Sequence, residues 1–191
     1  MTDDVNANFT GTPESKRYVV GPTIEVSLPW NFAFEFDALY HRVGYSVSHF
    51  LDGLGGFIEG DRDNSWEFPM MLKYKLPFSK IKPFAEIGLA PRTISGTARG
   101  IGTNFNIDTG QTTTANYTFS RDWGASLGVV VGGGAQFEIG RLRLSPELRY
   151  THWTSTPINM PIPDGAAISS TQDQVDVLVG IGWVIHRPSG H

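Results

Sequence analysis

The 191-residue chain contains no cysteine and no long apolar run. Without cysteine it can form no disulfide, use no thiol nucleophile and bind no metal through sulfur. Because no segment approaches the roughly 20 apolar residues of a membrane-spanning helix, a helical membrane protein is excluded. Only 18% of the residues are charged, and the net charge of −4 with a pI near 5.7 argues against a nucleic-acid-binding surface.

What the chain does contain is alternation with a period of two residues, which predicts β-strands. Trp66, Phe68 and Met70, for example, share one face of a segment whose other face carries Glu67 and Lys73. No charged residue occurs on the apolar face of any such segment, which is typical of a face that contacts lipid. The alternating segments cover residues 18–28, 32–40, 66–76, 83–92, 123–137, 142–151 and 174–185.

The connections between these segments alternate in length, which indicates an up-and-down meander. Short turns are predicted at 29–31, 77–82 and 138–141. Long polar loops are predicted at 49–64, 96–119 and 154–172. Short turns at one end and long loops at the other are typical of outer-membrane barrels. A soluble barrel with the apolar face inside is disfavoured, because so many large side chains would overfill the interior of about eight strands.

The predicted fold is therefore an all-β, antiparallel, up-and-down transmembrane β-barrel with a charged, glycine-containing interior. The charges expected inside, paired with one another rather than lining a channel, are Glu25, Glu35, Asp37, Glu67, Lys73, Lys75, Glu86, Arg92, Arg143, Glu147, Arg149 and Asp176. The aromatic girdles expected at the membrane interfaces comprise Tyr18, Trp30, Tyr40, Trp66, Tyr74, Trp123, Tyr150, Trp153 and Trp183.

Several of these segments resemble strands of the small outer-membrane β-barrels of OmpA/OmpX type, a group that includes porin-like barrels. The resembling stretches include RYVVGPTIEVSLP, SWEFPMMLKYKLP, LRLSPELRYTHW and VDVLVGIGW. The resemblance implies a bacterial outer-membrane location, with membrane lipid and lipopolysaccharide as partners. The last strand, ending at Trp183, resembles the signal read by barrel-assembly machinery, which is a further expected partner.

Bacterial single-chain barrels have an even number of strands, so seven segments predict an eighth. We expect the complete barrel to have eight strands, with most of the first strand and the signal peptide missing from this chain. Residues 1–16 would then be the remnant of that strand and an external loop, 17–185 the barrel, and 186–191 a C-terminal tail.

Few residue groups have a spacing that indicates chemistry, and we predict no catalytic, cofactor or metal site. Glu59, Asp61 and Asp63 lack the glycine and distal glutamate of a calcium loop, so a solvated acidic loop is the simpler interpretation. The glycine-rich stretch 128–134 lacks the Lys-Ser/Thr of a phosphate loop and lies within a strand, where glycine relieves crowding.

His152 lies on the outward face near a rim and is followed by Trp153, Thr154 and Ser155. This arrangement partly resembles the outer-membrane lipid A deacylases, in which a His-x-Ser on the barrel wall hydrolyses an acyl chain. Here the third position is Thr154, and Ser155 points to the other face. We therefore expect a non-enzymatic role, in envelope structure or recognition of an unidentified ligand through the long loops. A narrow pore and a membrane-embedded lipid A hydrolase are the alternatives.

Overall fold

The computed structural model describes residues 7–13, 18–51, 55–77, 81–155, 159–161, 167–169 and 171–184. Within these ranges the structure contains no helix that is long and apolar enough to span a membrane. The strands are β1 (Ala7–Pro13), β2 (Thr23–Ser27), β3 (Phe32–Asp37), β4 (Leu39–Leu51), β5 (Gly55–Glu67), β6 (Met70–Lys75), β7 (Ile81–Asn106), β8 (Gln111–Ile139), β9 (Leu142–Trp153), β10 (Asn159–Pro161), β11 (Ala167–Ser169) and β12 (Asp173–Trp183).

Within the described ranges, the main sheet is an antiparallel meander of seven strands, which confirms the predicted all-β fold. β3 continues into β4 after Ala38, and β5 continues into β6 after Phe68 and Pro69, so each pair forms one long strand with a break. β7 pairs with both β5 and β6 on one side and with β8 on the other, and β9 and β12 follow. β1 adds a short strand beside β4, and β10 with β11 forms a separate hairpin.

Burial alternates along these strands and identifies the outward face. On β12 the exposed positions from Val175 onward are apolar, and Val177 is 80% exposed. On β9 the outward Leu148 is 54% exposed, whereas the neighbouring Arg149 is 3% exposed. A hydrophobic exterior around a charged interior is the reverse of a soluble barrel and is the arrangement of a membrane barrel. The expected orientation of the charge-free face is therefore confirmed.

Two-residue turns close the sheet at one end, which we call the short-turn end. Between β2 and β3, Trp30 and Asn31 both have positive φ angles, 59° and 64°. This combination is the type I′ turn that matches the twist of a hairpin. Between β8 and β9, Gly140 has a φ of 64° and is followed by Arg141.

The opposite end, which we call the long-hairpin end, differs from the sequence prediction. Residues 96–119 were expected to form a loop but continue β7 and β8 as a ribbon that turns at 107–110. Most of 49–64 likewise belongs to β4 and β5, and within 154–172 the described residues include the β10–β11 hairpin. The sequence of these segments predicts loops because they have no regular alternation of apolar residues, although a strand outside lipid needs none.

Among the described residues, the edges of the main sheet are β1 and β2 on one side and β12 on the other. β2 pairs only with β3, and β12 pairs only with β9. Residues of both edges line a cavity of about 490 Å³, to which Glu25 and Trp183 contribute from opposite sides. Closure of the barrel by an eighth strand stays a prediction.

Candidate functional site

A histidine and an aspartate meet on the outer wall at the long-hairpin end of β9 and β12. The register of the two strands places His152 directly opposite Asp173. His152 Nδ1 lies 2.8 Å from Asp173 Oδ1, and the Tyr150 hydroxyl donates to the same oxygen at 2.6 Å. The side chains of His152 and Asp173 are 53% and 60% exposed, so a molecule outside the barrel can reach them.

These contacts determine which nitrogen of His152 is available for chemistry. Because the Asp173 carboxylate accepts a hydrogen bond from Nδ1, the neutral ring carries its proton there and leaves Nε2 with a free lone pair. A carboxylate that orients an imidazole in this way is the arrangement by which a histidine serves as a general base. The Asp173 carboxylate accepts hydrogen bonds from both Tyr150 and His152, and these contacts stabilise its charged form.

Two hydroxyl side chains follow His152, and one of them shares its face of the strand. Thr154 is two residues beyond His152, which is the period that returns a strand to the same side. Its backbone N–H and its Oγ1 both donate to the carbonyl of Leu127, at 2.9 and 2.8 Å. Thr154 and Ser155 are both exposed. The site therefore contains a base, an orienting acid and a hydroxyl on one face.

The inner face of the same two strands holds their register. Trp153 Nε1 donates to Gln174 Oε1 at 3.0 Å, and these residues are the chain neighbours of His152 and Asp173. The Arg92 guanidinium lies 3.6 Å from the centroid of the buried Trp153 ring. A Cβ atom on Gly128 would come within 2.9 Å of the same ring, so this glycine makes room for it. The hydrogen bond between Trp153 and Gln174 on the inner face thus supports the pairing of His152 with Asp173 on the outer face.

Below the rim, the interior is occupied by ion pairs. Lys73 Nζ lies 2.8, 3.2 and 3.1 Å from carboxylate oxygens of Glu35, Glu86 and Glu147, respectively. These carboxylates are close enough to one another to hold a metal ion, but the Lys73 ammonium already lies among them. Arg149 contacts all three carboxylates and also Asp37. At this level of the barrel, Lys73 and Arg149 therefore occupy the interior space that an open channel would need.

The other charges expected inside also lie on the inner face. Glu25 accepts from Lys75 and from Arg143, both at 2.5 Å, near the short-turn end. Nearer the other end, Gln174 Nε2 donates to Asp176 at 2.9 Å and to Glu67 at 3.5 Å.

The expected aromatic girdle needs correction at two positions. Trp153 is 1% exposed and lies inside, and Trp123 Nε1 donates to the interior Asp63 at 2.7 Å. Ile94 and Ser95 of β7 lie opposite Gly124 and Asp122 of β8, so Trp123 is an extra residue in β8. This bulge, beside Gly124 with its φ of 77°, reverses the alternation of faces N-terminal to Gly124 and turns Trp123 inward. The remaining members are partly or largely exposed, and they are Tyr18, Trp30, Tyr40, Trp66, Tyr74, Tyr150 and Trp183.

Glu59, Asp61 and Asp63, interpreted from the sequence as a solvated acidic loop, instead lie buried on the inner face of β5. Arg121 Nη2 lies 3.0 Å from Glu59, and its Nη1 lies 3.4 Å from Asp61. Burial, followed by the proximity of Asp61, raises the pKa of Asp63 to about 6. Their position beyond Trp66 toward the long-hairpin end places them outside the apolar part of the sheet.

This pKa predicts a pH dependence of stability. Folded Asp63 keeps its proton at pH values where an unfolded aspartate has lost it, so its contribution to stability is present at low pH and is lost as pH rises through about 6. The urea midpoint of the wild type, measured in micelles, should fall between about pH 4 and 7. In the Asp63→Asn variant, which lacks the titrating carboxyl group, this fall should be smaller. Asp108→Asn, at the exposed hairpin turn, should keep the wild-type slope. An unchanged slope in Asp63→Asn would contradict this assignment.

The comparisons with known proteins add a family. A family model described as lipid A 3-O-deacylase (PagL) matches residues 23–154, more than half of the chain. No curated protein and no solved structure matches. The matched range includes His152 and Thr154, and Asp173 lies beyond it. The expectation that the protein is not an enzyme is wrong, because the matched family is one of hydrolases. The resemblance to OmpA/OmpX-type barrels was correct only at the level of an outer-membrane β-barrel.

Proposed function

Because the chain belongs to the lipid A 3-O-deacylase (PagL) family, we propose that the His152–Asp173 pair hydrolyses the ester at position 3 of lipid A. The observation that carries this assignment is the 2.8 Å contact between His152 and Asp173 on the exposed outer wall. A base that faced the barrel interior could not reach a substrate that lies in the membrane. The protein is an outer-membrane barrel, so its substrate is a lipid of the same membrane.

The surroundings of the pair fit an ester at the membrane interface. Toward the short-turn end the outward face is apolar, and Val129, Leu148 and Val175 are 45%, 54% and 65% exposed. Acyl chains can pack along these side chains at little desolvation cost. At the same level as the pair, Tyr150 presents its hydroxyl as an interfacial aromatic does. The ester would thus lie at His152 with the acyl chain below it and the sugar above.

The chemistry we propose is acyl transfer to Thr154 followed by hydrolysis. His152 Nε2 takes the proton of Thr154 Oγ1 as this oxygen attacks the ester carbonyl carbon. The tetrahedral intermediate then breaks the bond to the sugar oxygen, which leaves as a hydroxyl after receiving the proton from His152. Water, deprotonated by the same nitrogen, attacks the acyl-threonine, and the fatty acid is released as His152 returns the proton to Thr154 Oγ1. Before the first step, Oγ1 must exchange its hydrogen bond to the Leu127 carbonyl for one to His152.

The role of Thr154 is tested by substitutions at the hydroxyl. Thr154→Val keeps the shape of the side chain and removes the nucleophile, and should reduce acyl release from lipid A by about 10²-fold or more. Thr154→Ser keeps the hydroxyl and should retain activity. Fatty-acid release from lipid A in detergent micelles, quantified by mass spectrometry, is the measurement. Ser155→Ala is the matched control and should remain active.

Other patterns of activity in these variants would identify a different attacking group. If Thr154→Val stayed active and Ser155→Ala lost activity, Ser155 would be the attacking hydroxyl. If both variants stayed active while a His152 variant did not, His152 would activate water directly on the ester. Either result would contradict the acyl-threonine step and leave the base assignment intact.

The other expected roles have less support. The ion pairs of Lys73 and Arg149 occupy the interior, which disfavours the narrow pore. Recognition of an external ligand at the long-hairpin end stays a prediction, as does recognition of the final strand by barrel-assembly machinery. Lipopolysaccharide as the lipid partner follows from the proposed reaction, because lipid A is its membrane anchor.

A further inference from the structure

Three arginines form a diagonal on the outward face of neighbouring strands, just beyond an aromatic pair. Arg42 lies opposite Asn64 on β5, and Arg62, two residues from Asn64, lies opposite Gly44. Arg62 also lies opposite Thr97 on β7, two residues from Arg99. Diagonal neighbours of this kind have Cα atoms about 7–8 Å apart, so long side chains can converge on one ligand.

The height of this arginine diagonal relative to the membrane is given by Tyr40 and Trp66. Their rings pack with centroids 5.2 Å apart on the outward face. Such aromatic pairs mark the membrane interface. Arg42 is two residues beyond Tyr40 toward the long-hairpin end, and Arg62 is four residues beyond Trp66 in the same direction. The diagonal therefore begins where lipid headgroups begin.

The charges of these arginines are not neutralised by the part of the protein that the structure describes. All three side chains are exposed, and none makes an ion pair there. The residues directly opposite them are neutral, namely Gly44, Gly60, Asn64, Thr97 and Thr118. Ion pairs within the barrel, by contrast, engage Lys73, Arg121 and Arg149. Three adjacent unpaired guanidinium groups with hydroxyl and amide neighbours suit phosphate, which arginine binds through two parallel hydrogen bonds.

We propose that Arg42, Arg62 and Arg99 bind the phosphate groups of lipid A in the outer leaflet. The proposal rests on the proposed function, since lipid A is the proposed substrate and its phosphates are the groups that these arginines would bind. Phosphates of a membrane lipid lie at the interface, where Tyr40 and Trp66 place this diagonal. Free phosphate in water shares the chemistry but would gain nothing from the neighbouring apolar wall.

The experiment compares lipids with and without phosphate on the refolded 191-residue chain. Equilibrium binding in detergent micelles is measured for bisphosphorylated lipid A and for dephosphorylated lipid A, in a His152→Ala background that prevents turnover. The triple variant Arg42→Gln, Arg62→Gln, Arg99→Gln should weaken binding of the bisphosphorylated lipid by about 10- to 100-fold. Binding of the dephosphorylated lipid should not change. Arg141→Gln, an exposed arginine in the turn at the other end, is the matched control and should bind both lipids as the parent does.

Two results would overturn the proposal. Equal affinity of the parent and the triple variant for bisphosphorylated lipid A would remove the arginines from phosphate binding. Displacement of the lipid by inorganic phosphate, at concentrations where chloride of equal ionic strength has no effect, would identify a general anion site instead. Heat-modifiability on gels verifies that each variant is folded, and the exposed position of the arginines predicts that it is.

The outcome is separable from that of the proposed reaction. Acyl release is measured on the protein with His152 intact and on both lipids. Loss of phosphate-dependent binding in the triple variant, combined with no acyl release by the parent, would support the arginine site and contradict the hydrolase. Acyl release by the parent, combined with unchanged binding in the triple variant, would support the hydrolase and contradict the arginine site.

Discussion

Replacing His152 by alanine should reduce acyl release from lipid A by about 10³-fold or more, because the proton of the attacking hydroxyl then has no acceptor. Asp173→Asn should cost about 10²-fold or more, since an amide can present its N–H to Nδ1 and favour the wrong tautomer. Tyr150→Phe removes one of two donors to Asp173 and should have a smaller effect.

The measurement is single-turnover fatty-acid release by folded protein in micelles, with heat-modifiability of each variant as the folding check. Asp108→Asn is the matched control for Asp173→Asn, because it removes an exposed carboxylate far from the pair. Activity of His152→Ala near that of the parent would exclude the proposed base. Loss of activity in Asp108→Asn would show that the assay responds to surface charge rather than to the pair.

The second large effect is expected on stability, at Arg149. Its side chain is 3% exposed and contacts the carboxylates of Glu35, Asp37, Glu86 and Glu147. Arg149→Met would leave these buried carboxylates with one cation, Lys73, and should lower the free energy of unfolding by about 3–5 kcal/mol. The comparison is the pair of Lys82 with Glu138, whose side chains are 39% and 29% exposed. Lys82→Met should cost about 1 kcal/mol or less.

Urea unfolding in micelles, followed by tryptophan fluorescence, measures both variants. Partial recovery is expected when Arg149→Met is combined with Glu35→Gln and Asp37→Asn, because two unpaired charges are removed with their partner. Equal midpoints for Arg149→Met and Lys82→Met would contradict the account of the interior as a network of buried ion pairs. If the triple variant were no more stable than Arg149→Met, the lost stability would come from the packing of the arginine side chain rather than from its charge.

The sequence predicted the strands well because period-two alternation follows directly from strand geometry. It predicted the faces well for the same reason, since within the alternating segments no charged residue shares the outward face with apolar residues such as Val177. It failed where apolar residues do not recur regularly along one face. Asp61 and Asp63 are inward residues of β5 that resemble a polar loop in sequence, because neither face of this region carries the apolar residues that pack against acyl chains.

The position of Trp123 shows a second reason for failure. Its parity depends on one irregular position, Gly124, and glycine at a strand position does not by itself predict a register shift. The parity of Trp153, by contrast, followed from that of His152, so its inward position could have been predicted.

Only part of the candidate site could be identified from the sequence. His152 and Thr154 could be placed on one outward face by spacing alone. Asp173 could not be identified as the partner, because the pairing of β9 with β12 depends on a long connection whose length does not fix a register. An acidic residue at the first position of the following strand, on the same face as His152, was the available signal.

β9 carries the buried Arg149 and the exposed His152 within four residues, and this closeness limits how the gene can change. A single-codon insertion or deletion between them would exchange the two faces of the strand beyond it, placing a histidine in the interior and Trp153 in lipid. One such event would remove Trp153 from its contacts with Arg92 and Gln174 and would also abolish the reaction. Length variation in descendants of this protein should therefore accumulate in the connections, such as residues 154–172, and spare β9.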